Sequence, residues 1–346
     1  MTAQPPRFPD ALRDQAKSCD SLGSPFMGRL LRLLAGSMPT DTPLRAKIEA
    51  WPAPLGSSHA SLPLRLAGGL HNLVLTGTDP DLAALYPPND VPDDALITGV
   101  LATLDRHQDF LLDWIDRPPQ TNEVRRSTAL IPAAHVLANT FNLPFVISEL
   151  GASGGLNLMF DQYALQAGDR VLGAEDPVLT FTPDWAGPVP PAAAFRVDDR
   201  RGVDLTPLDL LDPAEVTRLL SYLWPDQPER RQMTLTAIDA LTAVIDRQDA
   251  IDWLETRLSA PRIGHVHVIF HTVAWQYFPP DLQDHGEAVL AKAGARATAE
   301  APLTRIAMEA DTTGPGARLT LQTWPGGALR TLARVDFHGR WIEWLG

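Results

Sequence analysis

Residues 144–158 read Pro-Phe-Val-Ile-Ser-Glu-Leu-Gly-Ala-Ser-Gly-Gly-Leu-Asn-Leu, and no other stretch constrains the fold as tightly. Pro144 to Ile147 is a short, nearly continuous apolar run, the pattern of a strand covered on both faces. Gly151, Gly154 and Gly155 then demand a turn in which the backbone can come close to a ligand. Leu156 and Asn157 open a helix, whose first N–H groups suit an anionic group. Glu149 ends the strand. A buried carboxylate costs several kcal/mol unless something pairs with it, so a ligand ammonium or hydroxyl is a natural partner.

The rest of the chain supplies the setting. From Arg7 to about Asn142 the apolar residues recur at helical spacing: Phe8, Leu12 and Ala16 in one stretch, Leu30, Leu33 and Leu34 in the next. Ser24-Pro25 is an N-cap followed by a first-turn proline. Further helices are expected at 62–75, 93–115 and 122–140. After the glycine turn the spacing predicts a hairpin over 163–172 and a strand at 195–204. Helices are expected at 213–223 and 232–245, then a strand at 265–271 and a helix at 281–293. Strands at 303–309, 318–324, 329–337 and 341–344 close the chain. The expected domains are a helical region, 1–142, and an α/β domain, 143–346, with a hairpin insertion near 163–172. Strand, helix, strand and helix followed by a terminal hairpin make a mainly parallel sheet ending in antiparallel strands.

Composition excludes several function classes. A formal net charge of −13 repels phosphate backbones and anionic membrane surfaces, so neither nucleic acid nor a membrane is an expected partner. The single cysteine, Cys19, forbids an internal disulfide and fits a reducing compartment. No signal pattern opens the chain, and no apolar run approaches the 18 or more residues of a membrane span, so a cytoplasmic location is expected.

Glu149, Gly151, Ser153 and Gly155 resemble the first motif of class I S-adenosylmethionine methyltransferases, with serine in place of the middle glycine. The resemblance implies a Rossmann-like, methyltransferase-type fold and S-adenosylmethionine as cofactor. It places Glu149, Gly151, Ala152, Ser153, Gly154, Gly155 and Asn157 against that cofactor. Such enzymes carry a ribose-binding acid at the end of the next strand; Asp161 comes too early, and Asp204 is the best substitute. The whole chain is also similar to a bacterial family known as domain of unknown function 2332. That similarity is carried by 120–124 (Gln-Thr-Asn-Glu-Val), the 149–158 motif, 201–209, Trp224-Pro225-Asp226 with Arg230, and 271–277. It brings no activity with it.

Other residues are candidates for the chemistry. His271 ends the strand at 265–271, where open α/β sheets bind ligands; as a general base it would have Tyr277 and Trp275 beside it. Asn122 and Glu123 begin a helix and are candidates for substrate contacts, with Trp275. His265, His267 and His271 share a strand face, but their spread along it argues against a metal site. Three functions stay open: a methyltransferase acting on a small molecule, a serine hydrolase, and a non-catalytic ligand-binding or interaction scaffold. The hydrolase reading takes Gly151-Ala152-Ser153-Gly154-Gly155 as G-x-S-x-G with Ser153 as nucleophile, although helices rather than strands precede it.

Overall fold

The structure is a computed structural model that describes residues 7–56 and 59–346. The helices, in chain order, are α1 (Phe8–Ser21), α2 (Pro25–Ser37), α3 (Pro43–Glu49), α4 (Leu62–Leu75), α5 (Pro80–Ala83), α6 (Asp93–Arg106), α7 (Gln108–Trp114), α8 (Ser127–Phe141), α9 (Pro213–Ser221), α10 (Pro228–Asp239), α11 (Ala250–Arg257) and α12 (Pro280–Gly294). The strands are β1 (Phe145–Leu150), β2 (Tyr163–Ala167), β3 (Arg170–Gly173), β4 (Leu179–Phe181), β5 (Asp184–Ala186), β6 (Val197–Asp204), β7 (Val244–Arg247), β8 (Val266–Thr272), β9 (Leu303–Ala310), β10 (Ala317–Trp324), β11 (Ala328–Val335) and β12 (Trp341–Trp344). Contacts group the chain into two compact units, one ending at Thr121 and completed by 209–232, the other made of 122–208 and 233–346. Residues 122–142 therefore group with the sheet, and 209–232 with the helices.

The first unit is helical because its prolines and short polar residues start helices while apolar stripes bury them. Ser24, Thr42 and Asp79 each accept a backbone N–H of the first turn, from Met27, Arg45 and Leu82, and each is followed by proline. Phe8, Leu12, Leu30, Leu31, Leu34, Leu66 and Leu70 are fully buried in its core. Gly68 of α4 lets Tyr222 lie against the helix, since a Cβ there would meet the ring at 2.6 Å. The helix expected over 93–115 is two helices, α6 and α7, broken at His107.

The second unit is built on a nine-stranded sheet in the order β5-β12-β11-β10-β9-β8-β1-β6-β7. All six residues of β1 are buried, which explains the apolar run at 145–147 that opens it. It pairs in parallel with β6 on one side and β8 on the other. β7 and β9 extend the parallel part, while β10, β11 and β12 follow as an antiparallel run. That run contains the expected terminal hairpin as β10 and β11, and the sheet is lengthened beyond it by β5, which pairs in parallel with β12. β2, the expected hairpin partner β3, and β4 form a separate three-stranded sheet. Helix was expected over 232–245; the helix stops at Asp239 and Val244–Arg247 is the edge strand β7.

Leu150, Val203 and Ile269 pack under α11 and α12 on one face of the sheet. On the other, Phe145 stacks on Phe195, and Phe160 meets both Phe195 and Phe270. No helix among the described residues is long and apolar enough to cross a membrane.

Candidate functional site

The parallel strands run in the spatial order β7-β6-β1-β8-β9, so connections leave β1 in one direction and return in the other. In open α/β sheets, ligands bind outside the carboxyl ends of the strands at such a reversal. Glu149 stands there, opposite Gly202 of β6 and Phe270 of β8. It is 2 % exposed, and its Oε2 is buried without a hydrogen-bond partner among the described residues. Burial raises its carboxyl well above the ordinary value of 4.5; Arg126 draws it down and Asp204 pushes it further up. The carboxylate that the sequence left in need of a partner is in need of one in the fold.

The turn that follows is left-handed at alternate residues: Gly151 (φ +70°), Ser153 (φ +52°) and Gly155 (φ +80°). The amides of Gly151, Ala152, Ser153, Gly155 and Leu156 are used by the chain itself. Those of Gly151 and Ala152 both donate to Val203 O at 3.0 Å, and that of Gly155 to Ala152 O at 2.7 Å. Ser153 N donates to Asp204 Oδ2 at 2.9 Å, while Asp204 Oδ1 takes Thr206 N. Leu156 N donates to Asn122 Oδ1 at 2.9 Å. Ser127 Oγ donates to Asn157 Oδ1, and Asn157 Nδ2 donates to the Glu123 carbonyl. Asn122, Glu123, Asn157 and Asp204, expected to contact substrate or cofactor, converge on the turn and fasten it. A Cβ on Gly151 would lie 2.6 Å from that of Ala274, and one on Gly155 2.6 Å from Ile245. These glycines admit neighbouring side chains.

Arg126 is not among the sequence candidates. It comes from the 3₁₀ turn before α8 and donates to the Thr272 carbonyl at the end of β8 and to the Phe337 carbonyl. That places its charge where it acts on Glu149. Its only sequence signal is its position just past the 120–124 motif.

His271 lies on the other face of the sheet, because its strand neighbour Phe270 is in register with Glu149 and successive residues alternate. Its Nδ1 is 2.6 Å from Glu309 Oε1, and its Nε2 accepts from Arg305 Nε at 3.0 Å. Nδ1 therefore carries the proton. Desolvation holds the imidazole below its ordinary pKa against the pull of Glu309. Trp275 stacks on it at 5.2 Å, whereas Tyr277 is 55 % exposed. His271 and Trp275 line a cavity of about 290 Å³ with Glu287, Arg305, Glu309 and Arg318. Arg305 and Glu309, two missed residues, left only a faint trace: charges four apart on one face of an otherwise buried strand.

His265, just before β8, and His267 within it have partners elsewhere. His265 sits 3.1 Å from Asp198, and the buried His267 shares a 2.9 Å hydrogen bond with the Ser148 hydroxyl. Among the described residues no group of three or more His, Cys, Asp or Glu side chains is placed to hold a metal. Arg201 pairs with Asp246, leaving Asp204 to the turn.

No curated protein matches the chain. The family described as "Uncharacterized protein conserved in bacteria (DUF2332)" matches residues 9–344, and the chain belongs to that family.

Proposed function

We propose that the second unit is a Rossmann-like domain that binds S-adenosylmethionine at the carboxyl end of β1 and transfers its methyl group to a small molecule. The observation that carries this reading is the buried, unpartnered Oε2 of Glu149 at the reversal of the parallel strands. The doubly wound strand order supports the fold, and Asp204, last residue of the strand beside β1, stands where the resemblance asks for an acid. S-adenosylmethionine would supply an electrophilic methyl on its sulfonium. Glu149 would accept a hydrogen bond from the ammonium or a ribose hydroxyl, gaining the partner it lacks. Because burial raises its pKa, Glu149 is also the group at this site suited to keep a proton above the pH at which an exposed carboxyl loses it. Asp204 would contribute by fixing the turn through Ser153 N, and His271, with both ring nitrogens engaged, by supporting the strand end.

Calorimetry with S-adenosylmethionine and its demethylated product tests the reading. Saturable heat that is weakened by Glu149→Gln is the expected result; no heat and no thermal shift with either compound overturns it.

Ser153 sustains a second reading. Its φ of +52° on a strand-to-helix turn matches the strained backbone of a nucleophile elbow. A fluorophosphonate probe would then label Ser153, and an unlabelled serine ends that idea. The filling of the glycine positions by Ala274 and Ile245 favours the non-catalytic scaffold if both tests are negative.

A further inference from the structure

The cavity on the His271 face is separate from the Glu149 turn, and its polar groups are unevenly satisfied. Two of the acids that line it, Glu309 and Asp311, are turned toward the protein, while Glu287 is half exposed. Glu309 Oε1 takes His271 Nδ1 and the amides of Ala274 and Trp275, and Oε2 takes Gln276 N. Asp311 is held by Arg334 at 2.6 Å, Arg318 at 3.1 Å and both polar groups of Thr313. Glu287 takes Arg305 Nη1 at 2.5 Å.

Arg305 is different. Its side chain is 10 % exposed, and its guanidinium lies over the Trp275 ring with Cζ 4.3 Å from the centroid. Nε is committed to His271 and Nη1 to Glu287, so the group cannot swing. Nη2 has no hydrogen-bond partner among the described residues, and Arg305 lines the cavity. Arg318, nearly half exposed, pairs through Nε with Asp311, and among the described residues neither of its Nη groups donates a hydrogen bond. Thr320 and Gln322 continue the polar wall, and Ala307 and Leu329 supply apolar surface. At about 290 Å³ the space is at the lower end of ordinary ligand pockets.

We propose that this cavity is a binding site for a small carboxylate metabolite, anchored by Arg305 Nη2 and clamped at the rim by Arg318. A guanidinium fixed by an aromatic face and two hydrogen bonds has already lost most of its rotamer freedom, so a carboxylate gains a charge-assisted bond at little ordering cost. Carboxylates, whose charges come one to a group and can be shared between Arg305 and Arg318, suit the wall better than the concentrated double charge of a phosphate, because Glu287, Glu309 and Asp311 oppose any anion and oppose a concentrated dianion most. The site does not depend on the Glu149 reading.

The test is calorimetric titration of the full chain with butyrate, malonate, succinate, glutarate and adipate, with succinamide and inorganic phosphate as comparators. Saturable binding of at least one carboxylate is expected, with none of succinamide. Arg318→Gln and a folded Arg305→Gln should each weaken it by roughly tenfold or more, and Arg196→Gln, an exposed arginine of the same unit that does not line the cavity, should not change it. Arg318 is nearly half exposed, so its variant keeps the fold and decides the matter even if Arg305→Gln unfolds. No carboxylate binding, binding unchanged by Arg318→Gln or by a folded Arg305→Gln, or phosphate binding tighter than any carboxylate overturns the proposal.

Discussion

Replacing Glu149 by glutamine should make the protein more stable and, if the proposed cofactor site exists, less able to bind. The unfolded chain releases the Glu149 proton near the ordinary value of 4.5, while burial keeps the folded carboxyl protonated to a higher pH. Between those two points the unfolded state binds fewer protons, so stability falls as pH rises and levels off above the folded pKa. A tenfold change in proton affinity is worth about 1.4 kcal/mol, so at pH 7 the loss has a ceiling of about 3 kcal/mol. Glutamine keeps the shape and cannot ionise. The stability difference, variant minus wild type, should therefore be near zero at about pH 4 and grow to between 1 and 3 kcal/mol, roughly, at neutral pH. Urea denaturation at several pH values, followed by tryptophan fluorescence with m held to one value, measures that difference directly. A variant no more stable than wild type at pH 7, or a difference that does not grow with pH, would refute the reasoning. A residue whose removal strengthens the fold but weakens ligand binding is one retained for function.

Two further outcomes follow from the geometry. Gly173 has φ +104°, and a Cβ there would come within 2.2 Å of the Tyr163 carbonyl oxygen, so Gly173→Ala should cost about 2–4 kcal/mol in thermal or urea unfolding; Gly36→Ala, with open space around it, should be neutral or slightly stabilising, and equal effects would sink the argument. Burial lowers His71 to about 4 and His267 to about 3, so the unfolded chain takes up protons below about pH 6.5 that the fold excludes. Stability from these two is present above that pH and is lost as pH falls; the unfolding midpoint of His267→Gln should decline less toward pH 4 than that of wild type, and parallel declines would contradict it.

What could be read in the sequence was whatever burial writes locally. β1 announced itself because both of its faces are covered, and the glycines after it because left-handed backbone tolerates few other residues. β7 was hidden: it has four residues, none of them buried, on the outer edge of the sheet, and it follows a helix whose spacing runs into it. The break at His107 was hidden as well, since apolar spacing continues through it into α7. At the Glu149 site the need for a partner was legible, but the use of Asp204 to pin Ser153 N was not, because it depends on register between strands. The His271–Glu309–Arg305 chain was still less visible. It joins β8 to β9 across a helix and a turn, and only pairing in space brings its members together.

The helical unit is discontinuous. Its own sequence through Thr121 leaves gaps that are filled only by 209–232: Tyr222 covers Gly68, the Ser221 carbonyl meets His71, and Asp226 receives the Ser24 hydroxyl and the Phe26 amide. On the ribosome, those helices emerge long before the residues that complete them. A fragment cut at Thr121 would carry the bare face of α4 into solution, where it invites aggregation, and recombinant work on this unit alone would have to graft the later segment back onto it.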